Sequence, residues 1–595
     1  MIRPALPVLG RRTTTRLMAA VVASAAALSV AGAGSPAASA PDAQCPAAAP
    51  VADLVPGELV HGLTVSKGTT PEPFTGEHLG VLKDGIAPGR DMILVDLTSA
   101  EIDRVGIWSG MSGSPVYAED GDLIGAVSYG LSLGPSSVAG VTPAADMHEL
   151  LTQTPAGPMS AAADKITIPD RLADRLVTQD VATNAEVGAG LSQLQLPFGM
   201  AGLSGRRVKQ VANKLDLDLN GMRLNSAMGA SALADTSMVA GGNVAAAISY
   251  GDITAAGVGT VTAVCGGEVL GFGHPMLWTG PSGLSMHAAS VIYVQEDPTL
   301  SGFKVANIDP SPVGSITHDR MAGILGVQGA APDTGDITTS VSMPGRNSRN
   351  GETKVNLPEW MPDIAFAHIL ANHDRVFDGI GQGSANVNWT VNGTREDGAP
   401  FSISRGDVHA SEYDVTFEAA WDVVMALYTL EYNGVEDITI DSVHVDSKLS
   451  RDYDHYVFKK AEIKRAGVWN KLSRSTPLFL KPGKEHKIKV TVESADSGSS
   501  STVKTVRVPR SADGRRGFLN VRGGNTFDGD EFYGGNKQTF DSILADLKSE
   551  PRNDEILIHL GFYNNRGRIT NELERRTSTG LVVDGGTSIR VRAIG

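Results

Sequence analysis

The sequence predicts a mainly β protein with a few inserted helices, ending in a β-sandwich and a small α+β block. Three observations point there. Glycine is abundant (68 of 595 residues) while aromatic residues make up only 5%. Short apolar runs recur between Gly, Asp and Pro turns. Helical periodicity is sustained in only a few places.

The first forty residues stand apart from that pattern. Arg3, Arg11, Arg12 and Arg16 precede the apolar run "LMAAVVASAAALSVAGAG", and "ASA" ends at Ala40. This is the layout of a secretory signal peptide, residues 1–40, with cleavage near Ala40. No later run is long and apolar enough to span a bilayer. An exported protein without stable membrane insertion is therefore expected, secreted or associated with the cell envelope. Cleavage leaves 47 basic against 66 acidic residues, a net charge of −19. That balance argues against nucleic acid or anionic lipid as the main partner.

After an Ala- and Pro-rich lead-in, strand-like text begins at Leu59 with "LVHGLTVSKG", "HLGVLKDG" and "DMILVDL". "LIGAVSYGL" reads as a strand, and "AGVTPAADMHELLTQ" as a turn into a short helix. Residues 156–234 form a helical connector region that includes the amphipathic "RRVKQVANKL". Strands with Gly turns resume over 235–345. Residues 346–432 are a mixed region whose firm helix is Val415–Glu431: Phe417, Trp421, Val424 and Tyr428 share one face and Ser411 is the candidate cap. Residues 433–512 alternate as an antiparallel sandwich. The last block, 513–595, holds a helix with the stripe Phe540, Ile543, Leu544 and Leu547, capped by Thr539 and stopped by Pro551.

Two cysteines are present, Cys45 and Cys265. Export and an even count permit a disulfide between them, and two unpaired thiols fit the spacing equally well. No thiol cluster or paired-histidine helix motif calls for zinc, and the acidic stretches "RDYDHY" and "FDGDEF" lack the calcium-loop pattern. No cofactor or metal is expected.

The stretch that carries chemistry is "GIWSGMSGSPVYAEDGDLIGAVSYG", Gly106–Gly130. A serine hydroxyl attacks a carbonyl only when a base takes its proton and donors hold the developing oxyanion. Gly110 and Gly113 let the backbone turn tightly around Ser112, and the amides of Gly110 and Ser112 are the candidate oxyanion hole. A plain Gly/Ser β-turn is the competing reading of the same letters.

"GMSGSPVY" followed by an acidic turn and "LIGAVSYG" resembles the serine motif of the SpoIVB-type serine peptidase family, and more closely the large secreted bacterial proteins with a SpoIVB-type peptidase domain. "GLTVSKGTTPEPF", "LGVLKDGIAPGRDMILVDL" and "AGVTPAADM" resemble that domain too, as do "YGDITAAGVGTVTAVCGGEVLGFGHPM" and "FKVANIDPSPVGSITHDR". Together they cover about residues 55–150 and 235–330. The resemblance implies a chymotrypsin-like double β-barrel, with a serine-bearing half at 41–155 and a histidine-bearing half at 235–345. It implies Ser112 as nucleophile, His274 in "LGFGHPM" as base and Asp96 in "ILVDL" as the carboxylate that orients it. The order here is Asp, Ser, His, whereas the sporulation peptidase has its histidine first; triads are defined by geometry and tolerate permutation. His61, His78, His287 and His318 are rival bases, Asp103 is a rival carboxylate, and Ser114 is read as structural.

The expectation is a secreted serine endopeptidase acting on a protein or peptide substrate, with a cell-envelope component as a further partner. The alternative is a non-catalytic envelope-binding protein on the same scaffold.

Overall fold

The computed structural model describes residues 45–152, 165–215, 222–225, 229–298, 301–525, 539–564 and 566–594. The expected signal peptide lies outside the described residues, as does "FDGDEF". Among the described residues no helix is long and apolar enough to cross a membrane.

The protein is mainly β, as the glycine-punctuated apolar runs require. The first strands are β1 (Leu59–Thr64), β2 (Glu72–Ala87), β3 (Arg90–Thr98), β4 (Pro115–Tyr117), β5 (Leu123–Leu131) and β6 (Val138–Pro143). They pair in the order β4-β1-β2-β3-β6-β5, and β4 also pairs with β5, so the sheet closes into a six-stranded antiparallel barrel. Closure removes both sheet edges. Ile93, Val95, Val116, Val127 and Val141 point into its core with Trp108 and Met111.

The connector adds β7 (Leu191–Gln193) to the edge of β5, and then β8 (Leu196–Ala201), the helix Gly205–Leu215 from "RRVKQVANKL", β9 (Met222–Asn225) and β10 (Gly229–Ala230).

A second ring follows: β11 (Asn243–Gly251), β12 (Thr254–Cys265), β13 (Glu268–Gly271), β14 (Gly280–Gln295), β15 (Phe303–Arg320) and β16 (Gly323–Gln328). Their pairings run β11-β14-β15-β16-β13-β12 and return to β11, all antiparallel. Ala245, Ala247, Ala256 and Ala289 make a small-residue cluster here with Val258 and Ile308.

The same sheet continues through β17 (Gly335–Ser342), β18 (Arg349–Val355), β19 (Gly383–Arg395), β20 (Pro400–Ser411) and β21 (Ile438–Ser450). The helices Met361–Phe377 and Val415–Glu431 cover it through the largest core cluster. The second helix matches its expected bounds. Its cap is Asp414, whose side chain accepts from the Phe417 amide, while Ser411 accepts from the Tyr413 and Asp414 amides one step earlier.

The expected sandwich at 433–512 begins later, because β21 pairs with β17 and β19 and so belongs to the preceding sheet. One sandwich sheet is β22 (Tyr456–Arg465), β23 (Val468–Lys471), β25 (Glu485–Ser494) and β26 (Gly498–Arg507), with β24 (Leu478–Leu480) in the other. That other sheet draws on the final block: β27 (Arg516–Gly523), β28 (Glu555–Tyr563), β29 (Ile569–Ser578) and β31 (Gly586–Ala593), while β30 (Val583–Asp584) pairs with β22. The two segments read separately as a sandwich and an α+β block thus share one core. The helix Phe540–Ser549, capped by Thr539 as expected, packs instead with Phe401 of β20.

Cys45 and Cys265 are joined in a disulfide, which selects between the two states open at the sequence level. Ala47 and Ala49 exchange backbone hydrogen bonds with Leu123 of β5, while Cys265 ends β12. The N-terminal segment therefore staples the first ring to the second. Ala126, Met147 and Leu150 pack with Ala263, Leu270 and Leu325 beneath that staple.

Candidate active site

Ser112 occupies the tight turn between Ser109 and β4. Gly110 (φ +93°) and Gly113 (φ +96°) both take conformations that side chains resist. At Gly113 the reason is also contact: an added Cβ would lie 2.0 Å from the Thr260 carbonyl and 2.5 Å from the Phe272 nitrogen. The turn is pressed onto the second ring and latched there. The Thr260 amide donates to the Ser112 carbonyl (2.8 Å), and the hydroxyls of Thr260 and Thr262 donate to the carbonyls of Gly110 (3.0 Å) and Gly113 (2.8 Å). Ser114, read as structural, hydrogen-bonds Thr64 of β1.

The carbonyls are thus spoken for, and two amides are not. The N–H groups of Gly110 and Ser112 meet no acceptor among the described residues. The direction of the Gly110 amide follows from a neighbouring bond. The Lys304 amide donates to the Ser109 carbonyl at 3.0 Å. In a trans peptide the next N–H points the opposite way, so the Gly110 amide faces away from β15. Two uncommitted amides two residues apart, one of them on the serine, are the donor set an oxyanion needs.

His274 lies on the loop after β13, in the second ring. The loop is held across the ring boundary: Thr142 of β6 donates to the Gly273 carbonyl at 2.7 Å, and Gln193 of β7 donates to the Pro275 carbonyl at 3.1 Å. Asp319 of β15 holds the loop from below. Its carboxylate accepts the amides of Met276 (2.8 Å), Leu277 (2.6 Å) and Trp278 (2.8 Å). Burial raises the pKa of this carboxyl, against the opposing pull of those amides.

The two loops bring Ser112 and His274 together. Ser112 Oγ lies 2.9 Å from His274 Nε2 across 162 residues of sequence, and His274 Nδ1 lies 2.8 Å from the Pro275 carbonyl. A carbonyl only accepts, so Nδ1 carries the proton and Nε2 is left to take the serine hydroxyl's proton. That is the tautomer a general base requires. Burial depresses the imidazole pKa to about 4, so the ring is neutral at pH 7.

Asp96 is not brought to His274. It sits on β3, paired with Glu77 of β2 and Val138 of β6, and β6 separates it from the β5 strand beside the serine turn. Its carboxylate makes no hydrogen bond to His274, and the Pro275 carbonyl occupies Nδ1 instead. The rival Asp103 lies on the helix Ala100–Val105 and takes the Thr98 hydroxyl. Among the rival histidines, His61 stacks on Tyr117, His78 is buried on β2, and His318 meets Thr317.

His287 makes its own Ser–His pair, with Ser285 at 2.8 Å and the Asp309 carbonyl on Nδ1. Ser447 and His373 form a third pair at 2.8 Å, with the Thr416 carbonyl at 3.3 Å. Among the described residues there are therefore three buried Ser–His–carbonyl arrangements, and the hydrogen bond alone does not mark a reactive serine. Ser285 and Ser447 lie within paired strands. Ser112 differs in standing on a glycine turn with free amides.

Two buried residues at this site, both within "FKVANIDPSPVGSITHDR", were not among the expected site residues. Lys304 is fully buried beside Gly110: an added Gly110 Cβ would lie 3.0 Å from its Cδ. Its ammonium donates to Asn243 (2.9 Å) and Thr260 (3.1 Å), and burial lowers its pKa to about 7. Asp319 is the other, completely buried on β15. A charged residue inside an apolar alternating run, as in "FKVANI", is the only signal either leaves.

Both Ser112 and His274 are completely enclosed. The same hypothetical Gly110 Cβ would also lie 3.0 Å from Pro197 of β8, so the connector forms part of the cover. Comparison with family models, curated proteins and solved structures finds no match for this chain.

Proposed function

We propose that the chain is an exported serine endopeptidase of the SpoIVB type on a chymotrypsin-like pair of barrels. Ser112 attacks the scissile carbonyl, His274 Nε2 takes the hydroxyl proton and returns it to the leaving amine, and the Gly110 and Ser112 amides hold the oxyanion. The observation that carries this reading is the 2.9 Å contact between Ser112 Oγ and His274 Nε2, made beside two uncommitted amides. The Pro275 carbonyl fixes the tautomer in place of Asp96, and so supplies a dipole where a triad supplies a charge. The Cys45–Cys265 disulfide supports an oxidising compartment outside the cytoplasm.

Full enclosure of the dyad favours a second reading, a binding protein that keeps the scaffold. Under the peptidase reading the structure is a closed state, and substrate enters when the connector strands lift from Gly110. A fluorophosphonate probe separates the two. Mature protein should label on Ser112, faster in low urea that loosens the connector, and Ser112→Ala and His274→Ala should not label. Absence of Ser112-dependent labelling in native and loosened samples alike would leave the scaffold reading standing.

A further inference from the structure

The net charge of −15 hides a reversal along the chain. Residues 456–522 carry 16 Lys and Arg against 5 Asp and Glu, net +11, so the remainder is strongly acidic. The total charge, on which the expectation about anionic partners rests, does not describe the sandwich.

Part of that excess shares one surface with the carboxylates Glu462, Glu485 and Glu493. In β22, β25 and β26, alternate residues Ala461, Ile463, Ile488, Val490, Val492 and Val506 fill the sandwich core. The opposite face is fixed by register. Lys464 pairs with Trp469, Glu462 with Lys471 and Lys489, Lys487 with Thr505, and Glu485 with Arg507. Directly paired residues share a face, so Lys464, Lys471, Lys487, Lys489 and Arg507 stand together on the outside.

Glu462 is occupied by Lys489 (2.8 Å) and Lys460 (3.3 Å). Lys464, Lys471, Lys487 and Arg507 are exposed and form no ion pair with any described residue. Trp469, the aromatic of this face, is engaged by the ammonium groups of Lys464 (5.7 Å) and Lys489 (5.0 Å).

We infer that this face docks a linear polyphosphate-type polyanion. Same-face residues recur about every 7 Å along a strand, and neighbouring strands lie about 5 Å apart. Lys464, Lys471, Lys487 and Arg507 are therefore spread over a flat face, with Glu485 opposite Arg507, a layout suited to an extended chain with spaced charges. Base stacking calls for a free aromatic face, and Trp469 offers none, because lysines engage its ring. This inference does not depend on the peptidase reading.

The test uses the full mature protein and labelled long-chain inorganic polyphosphate, with binding read by anisotropy between 50 and 300 mM salt. Four free cations predict a slope of log K against log salt of roughly −3. Lys464→Gln/Lys471→Gln/Lys487→Gln should weaken binding about tenfold or more at the lowest salt and flatten the slope by roughly 2. Lys83→Gln, on the first barrel, should leave both unchanged. All substituted lysines are exposed, so the thermal transition should not move; a triple variant that unfolds early is replaced by the single changes, each expected to lower the slope by about 0.7.

Polyphosphate binding that is absent, or indifferent to these changes, overturns the proposal. So does binding confined to phosphatidylglycerol vesicles. Salt-sensitive self-association that the triple variant abolishes, with no polyphosphate binding, would assign the face to a second copy.

Discussion

Acid should unfold this protein through its buried histidines, and the effect is large enough to measure residue by residue. His274, His368 and His373 are each held neutral inside the protein, with burial lowering each pKa to about 4 from 6.5. The unfolded chain binds protons at these sites below pH 6.5, and the folded chain does so only near 4. Stability is therefore fully present above about pH 6.5 and is lost as pH falls toward 4. One pKa unit corresponds to about 1.4 kcal/mol, so each histidine accounts for roughly 3 kcal/mol across that window. Three together approach the whole stability of an ordinary domain, about 5–15 kcal/mol. Near pH 5 the slope should approach about 4 kcal/mol per pH unit. Asp319 and Asp407, whose carboxyls are raised by burial, act with the opposite sign. The assay is urea unfolding followed by tryptophan fluorescence at pH 7.5, 6.5, 5.8 and 5.2. His373→Gln keeps a neutral polar side chain opposite Ser447 and should lower the slope while costing roughly 1–3 kcal/mol at neutral pH. A variant with the parent's slope would refute the assignment of acid lability to these groups.

Two further changes test the serine turn. Gly113→Ala sets a methyl group 2.0 Å from the Thr260 carbonyl at positive φ; it should cost about 3 kcal/mol or more and abolish probe labelling, and a stable, labelling variant would remove the latch from the argument. Lys304→Met tests a trade-off. The folded amine has a pKa near 7 against 10.5 unfolded, so it loses stability as pH falls from 10.5 to 7 and recovers none below. The variant should gain about 1–4 kcal/mol at pH 7 in urea unfolding, while labelling of Ser112 slows because the Thr260 hydroxyl is freed from Lys304 and the Gly110 carbonyl is held less firmly. Loss of stability together with unchanged labelling would contradict both halves.

What the sequence disclosed was local or built on types with narrow chemical uses. Ser112 stood out because two glycines flank it. His274 stood out beside glycine and proline, and Cys45 and Cys265 because they are the only thiols. The helix Val415–Glu431 announced itself by aromatic spacing. Asp96 went astray because aspartates are common at strand ends, and whether one reaches a histidine depends on which strand lies between them. Here β6 does. The sandwich boundary went astray for a related reason. β21 alternates as a sandwich strand does, but its partners are β17, more than 90 residues earlier, and β19. Alternation names a strand and not its neighbours. Asp319 and Lys304 left almost no trace, since their roles come from amides and hydroxyls that fold around them.

The three Ser–His pairs bear on how a serine nucleophile is to be argued at all. A buried serine and a buried histidine satisfy one another wherever packing brings them close, because each has a hydrogen-bonding group that is costly to bury alone. A backbone carbonyl on the far nitrogen then follows from the same need, as at His287 and His373. What burial economy does not explain is an enclosed turn with two amides left unmet, in a chain that elsewhere latches the carbonyls of that same turn one by one. Leaving a buried N–H without an acceptor costs about 1–3 kcal/mol, and the glycines that create the turn add to the cost. Groups kept in that state at a net loss to stability make sense when an acceptor arrives from outside, and the oxyanion of a substrate carbonyl attacked by Ser112 is an acceptor of that kind. The weight of the peptidase reading therefore rests on Gly110 and Ser112 as amides more than on Ser112 and His274 as a pair.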